Sequence, residues 1–88
     1  MTPAVLVDEA DHPLEAWSDP ARGSIRWKTL ISGDVTATDT LVCGIAVMAA
    51  GETFALHSHP QPELYFGLEG AVDVLVDGAT HRLKPGVA

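Results

Sequence analysis

The stretch Ala71-Val-Asp-Val-Leu-Val-Asp-Gly-Ala-Thr-His-Arg-Leu83 holds two short β-prone runs around Asp77-Gly78. An Asp-Gly pair supplies the positive φ angles of a two-residue type I′ loop, so Ala71 to Val76 and Thr80 to Leu83 are predicted to pair as an antiparallel hairpin. Lys84-Pro-Gly86 ends the second strand. Within that strand His81 shares parity with Ala79 and Leu83 and reads as an ordinary strand histidine.

Upstream of the hairpin the same grammar continues. After Gly23, Ile25, Trp27 and Thr29 alternate with Arg26, Lys28 and Leu30, which predicts a half-exposed strand. Polar turn residues from Ser32 to Asp39 separate it from Leu41 to Met48, a run apolar on both parities and so expected to be covered on both faces. Cys43, the one cysteine, is expected to be an inert core residue of that run. Thr53 to His59 reads as a further strand, Pro60 and Pro62 bracket a bend, and Glu63 opens the next strand. About six short strands and no long helix indicate an all-β, antiparallel sandwich or barrel.

Residues 1–22 differ. Pro3, Pro13 and Pro20 lie among acidic residues without sustained periodicity, so this part is expected to be an arm or loop ahead of a β-domain at residues 23–88. Asp11 to Trp17 is long enough for one helical turn, with Trp17 filling an apolar gap and His12 solvated.

Composition narrows the partners. The 88 residues suit one small domain. A formal net charge of -7 with only 5 scattered Lys and Arg residues argues against nucleic acid. The amino terminus lacks the basic start and apolar centre of a secretory signal, and no apolar run approaches bilayer length, so no membrane partner is expected and a cytoplasmic setting is. Charged residues make up 19% of the chain, below the usual share of about 25%, so some apolar surface is expected to need a partner.

The chemistry lies between Gly51 and Gly70. On a strand, His57 and His59 project from one face with α-carbons roughly 6.5 Å apart, close enough for both imidazoles to meet one ion. Glu63, Tyr65 and Gly67 share one parity on the following strand, so pairing of the two strands would bring Glu63 to the same ion. Two imidazoles and one carboxylate form the facial arrangement of non-haem iron sites, and zinc, manganese, nickel and copper accept the same donors. The spacing therefore predicts one divalent metal ion without choosing it. An isolated His-x-His is usually a polar surface face, but five fixed positions, Gly51, His57, His59, Glu63 and Gly70, arise by shuffling only on the order of once in ten thousand. Tyr65, on the Glu63 face, is the candidate catalytic residue, either as hydrogen-bond donor or as general base; the alternative is a packed strand aromatic.

Gly51, His57, His59, Glu63 and Gly70 match the first motif of the cupin superfamily, which the chain resembles from about Leu41 to Gly86. The resemblance implies a jelly-roll β-barrel in which His57, His59 and Glu63 bind a divalent metal. In the family a second motif supplies a fourth ligand, a histidine. Lys84-Pro-Gly86 looks like its start, and the expected remainder is absent after Gly86. Three expectations follow: a truncated piece, a barrel completed by another chain, or three protein ligands plus water. An open edge beside apolar Phe54, Leu56, Leu64 and Phe66 would be an aggregation hazard, so a homodimer with intermolecular strand pairing is expected. The resemblance further implies a small organic substrate handled by an oxygenase, an isomerase or a lyase. The Glu63-Leu-Tyr65 spacing is similar to that of cupin lyases of dimethylsulfoniopropionate, in which the equivalent tyrosine is implicated as base. The contrasting expectation is a non-catalytic cupin module for ligand sensing or assembly.

Overall fold

The computed structural model describes residues 4–38 and 40–88. Asp39, at the end of the polar turn expected between the first two strands, lies outside them. The chain divides into a unit of residues 1–57 and a unit of residues 58–88. Among the described residues the architecture is all-β and antiparallel, with helical structure only as two short 3-10 turns.

The first unit is built around a three-stranded sheet. Strands β1 (Glu15–Ala16), β2 (Arg26–Ile31) and β3 (Cys43–Val47) lie in that order. β2 pairs antiparallel with both neighbours, Glu15 opposite Trp27 and Trp27 opposite Ala46. The alternation read from the sequence is present: Glu15, Trp27 and Thr29 share one face, where the Thr29 hydroxyl donates to Glu15 at 2.8 Å. On the other face Lys28 Nζ meets the Glu9 carboxylate at 2.6 Å. Ile25, just before β2, is the one buried apolar residue among those described, at 6% exposure.

The arm is more structured than a loop. Its helical turn falls at Glu9–Asp11, not across Asp11 to Trp17, because the Asp8 side chain accepts from the Ala10 amide and caps it. Residues 15 and 16 instead pair with β2. A second turn, Pro20–Arg22, is capped in the same way by Asp19, with Pro20 at its first position. Trp17 does pack as an aromatic plug: its ring centroid lies 4.6 Å from that of Trp27, and Arg22 covers its outer face at 3.8 Å. Such stacking and cation–π contacts contribute about 1 kcal/mol each.

Two expectations for the first unit are overturned. Cys43 is exposed, not a core residue. Leu41 and Val42 beside it are also exposed, and only Ile45 and Val47 of β3 are half-buried. The reason is sheet order: β3 is an edge strand, and a run that is apolar on both parities says what must be covered without supplying the cover. In addition, Thr53 to His59 forms no ladder. Its only β-pairing among the described residues is an isolated bridge between Phe54 and Gly23.

The second unit carries the hairpin as read. β4 (Val72–Val76) and β5 (Ala79–Leu83) pair from Val72 opposite Leu83 to Val76 opposite Ala79. Asp77 and Gly78 take φ angles of 50° and 79°, as a type I′ loop requires. Val74 and His81 are opposite each other, and Asp73 and Arg82 form an exposed ion pair. The segment from Glu63 to Leu68 is not a strand either; Gly67 alone bridges, in parallel, to Pro85. The Lys84–Val87 turn closes against it, with Gly67 N donating to Val87 at 2.9 Å and Gly86 N donating to Gly67 at 3.0 Å. Neither sheet closes on itself.

Candidate metal centre

The donors gather on a short irregular segment. Its approach is fixed by a turn in which Glu52 N donates to the Ala49 carbonyl at 3.1 Å while the Glu52 carboxylate accepts from Ala49 N at 2.6 Å. Beyond Phe54 the described chain joins no ladder before the isolated bridge at Gly67, and alternation fails at once. On a strand, residues three apart face opposite sides at roughly 10 Å. Here the Phe54 and His57 rings stack at 4.4 Å with 21° between their planes. His57 Nδ1 lies 2.9 Å from the Ala55 carbonyl oxygen. Nothing in the residue pattern signals these contacts, because a period of two assigns Phe54 to the far face.

The bend at Pro60 and Pro62 then returns the chain, so that His59 and Glu63 meet directly. His59 Nε2 lies 2.9 Å from Glu63 Oε2. These two donors come together around a bend, not across two paired strands as the alternation predicted. His57, His59 and Glu63 each present a ligand atom within 4.8 Å of the other two, and among the described residues they are the group so arranged. Two ligands on one ion at about 2.1 Å sit no more than about 4.2 Å apart, so the set fits a divalent ion after a small contraction. All three residues are exposed. An exposed histidine–glutamate contact contributes little by itself.

Tyr65 sits beside Glu63 in the second unit, 40% exposed. Partial burial, then the negative charge of Glu63, then the hydrogen bond its hydroxyl makes to Glu63, hold Tyr65 above the ordinary phenol value of 10.0. All three favour the neutral phenol. Glu63 is therefore shared between the donor pair with His59 and the contact with Tyr65.

Residues 44–88 match the cupin domain family. The chain belongs to the cupin family. Over 86 residues, 98% of the chain, it is 41% identical to dimethylsulfoniopropionate lyase DddW of Ruegeria pomeroyi, and it spans 57% of that protein's length. Over 55 residues, 61% of the chain, it is 38% identical to dimethylsulfoniopropionate lyase DddQ of the same organism, covering 27% of that protein. No solved structure matches. Cupin membership agrees with the antiparallel β-architecture of the described residues. None of the helices among the described residues is long and apolar enough to cross a membrane.

Proposed function

We propose that this protein is a metal-dependent cupin lyase that cleaves dimethylsulfoniopropionate, with His57, His59 and Glu63 holding one divalent ion and Tyr65 acting as base. The observation that carries this reading is the 41% identity to a lyase of that substrate along 98% of the chain, over a cluster of three metal-capable donors. A bound divalent ion supplies Lewis-acid polarisation of the substrate carboxylate. Two imidazoles and one carboxylate suit iron, zinc, manganese, nickel or copper.

The remaining chemistry belongs to the chain's own residues. Elimination needs a proton taken from the carbon beside the carboxylate. That C–H pair becomes the new double bond, and the C–S pair leaves with sulfur, giving acrylate and neutral dimethyl sulfide. Tyr65 receives the proton as phenolate. Two of the three causes that raise its pKa come from Glu63, so committing the Glu63 charge to an ion favours the phenolate. The base and the ligand set are thus coupled through one carboxylate.

A homodimer with intermolecular strand pairing is part of this proposal. Its support is exposed apolar side chains: Leu56 in the first unit, at 81% exposure, and Leu64, Phe66 and Leu68 in the second, with Leu64 at 78%. A cytoplasmic setting belongs to it too, since a lone exposed thiol suits a reducing compartment.

The deciding experiment loads purified protein with each of the five metals, confirms stoichiometry by elemental analysis, and measures dimethyl sulfide released from dimethylsulfoniopropionate. Release that depends on metal supports the lyase. A stoichiometrically loaded, folded protein that releases none would favour the non-catalytic module.

A further inference from the structure

We infer that the Arg22–Ser24 segment and Phe54 form a clasp that presets His57 as an Nε2 donor. The inference rests on the reading of His57 as a metal ligand and adds residues that hold it in place. It begins with the His57 ring. Its Nδ1 lies 2.9 Å from the Ala55 carbonyl oxygen, and a carbonyl oxygen only accepts, so Nδ1 carries the proton. In the neutral ring the lone pair is then on Nε2. The Phe54 ring, stacked at 4.4 Å and nearly parallel, sets the tilt of the imidazole. One contact selects the nitrogen and the other aims it.

Both contacts come from backbone that the arm holds. Ser24 N donates to the Thr53 carbonyl at 2.9 Å, and Ala55 N donates to the Arg22 carbonyl at 3.3 Å. The bridge between Gly23 and Phe54 lies between these bonds. Phe54 is therefore gripped on both sides by Arg22 to Ser24, a segment remote in the chain. The grip requires glycine: at Gly23, φ is 105°, and a Cβ there would collide with the Thr53 carbonyl oxygen and come within 2.9 Å of Phe54 Cα. No other residue type permits so close a backbone approach at that angle. Arg22, whose carbonyl closes the clasp, also covers Trp17 in the aromatic stack, which ties the grip to the sheet. Outer-shell partners that orient a ligating histidine typically change metal affinity by about 10- to 100-fold when removed.

The test reads the ring directly. Nitrogen-15 long-range NMR of metal-free wild-type protein at about pH 8, above the ordinary imidazole range, should show His57 protonated on Nδ1, its signal identified by its loss in His57→Ala. Phe54→Leu and Gly23→Ala should mix the tautomers and weaken zinc binding at least about tenfold, while Phe54→Tyr, which keeps the stack, restores both. The Trp17–Trp27 exciton signal in circular dichroism reports whether the first unit remains folded in each variant. Wild-type His57 protonated on Nε2, or a folded Phe54→Leu with unchanged tautomer and zinc affinity, would overturn the clasp. Unchanged zinc affinity in His57→Ala would instead overturn the ligand reading, and the wild-type tautomer would still decide the clasp.

Discussion

The β4–β5 hairpin and the segment from Ala55 to Phe66 are built from similar alternating residues, yet one is a continuous ladder and the other pairs with nothing regular. The hairpin needs only its own turn, because Asp77 and Gly78 set the register of five residue pairs. The irregular segment is held by its neighbours: Phe54 just before it bridges to Gly23, and Gly67 just after it bridges to Pro85. Alternation states a preference for extended backbone, whereas a ladder needs a partner with matching register. Where the ladder is missing, side chains are released from period two, and that release lets Phe54 stack on His57 and His59 reach Glu63. The candidate donors occupy the part of the motif that regular pairing does not constrain.

Substitutions can break or sharpen this contrast. The largest expected effect is on turnover: Tyr65→Phe should lower dimethyl sulfide release by about 10²- to 10⁴-fold while metal stoichiometry is retained. Loss of metal together with activity would assign Tyr65 to the structure of the site. Next, His59→Ala and Glu63→Ala each remove one of three donors from the irregular segment. Metal affinity by competition titration should fall more than about 100-fold, beyond the range of outer-shell changes, with the hairpin's NMR signals unmoved.

Gly78→Ala probes the other region. A side chain at φ 79° is strained even though nothing crowds it, so urea unfolding should show a loss of about 1–2 kcal/mol, and metal affinity should hold. The smallest effect concerns the coupling of Tyr65 to Glu63. Tyr65 is the sequence's one tyrosine, so ultraviolet titration follows it alone. Its midpoint in metal-free protein should lie above 10.0, and Glu63→Gln should bring it down. Because folding raises this pKa, the associated stability is present below pH 10 and is lost as pH rises through the folded value. That alkaline slope should vanish in Tyr65→Phe.

How much was legible in the sequence follows from the same contrast. The hairpin was readable because its signal is two residues long and entirely local. β2 was readable because Trp27 and Thr29 alternate with Arg26 and Lys28, whose charges are met by Glu52 and Glu9. His57, His59 and Glu63 stand out as candidate donors from side-chain type and spacing, which do not depend on strand pairing. What failed was everything that needed a remote partner. Cys43 was assigned to a core on the apolarity of its run, but β3 is an edge, and edge position is a property of sheet order. The strand expected at Thr53 to His59 is absent for the same reason. The Gly23–Phe54 contact was invisible because it is made by backbone atoms, which every residue carries.

The exposed thiol on β3 has a practical bearing on assembly. Two copies oxidised together through Cys43 would weigh as much as a strand-paired dimer while sharing no sheet at all. Mass measurements on reduced protein, or on Cys43→Ser, would separate a covalent counterfeit from an association driven by apolar side chains.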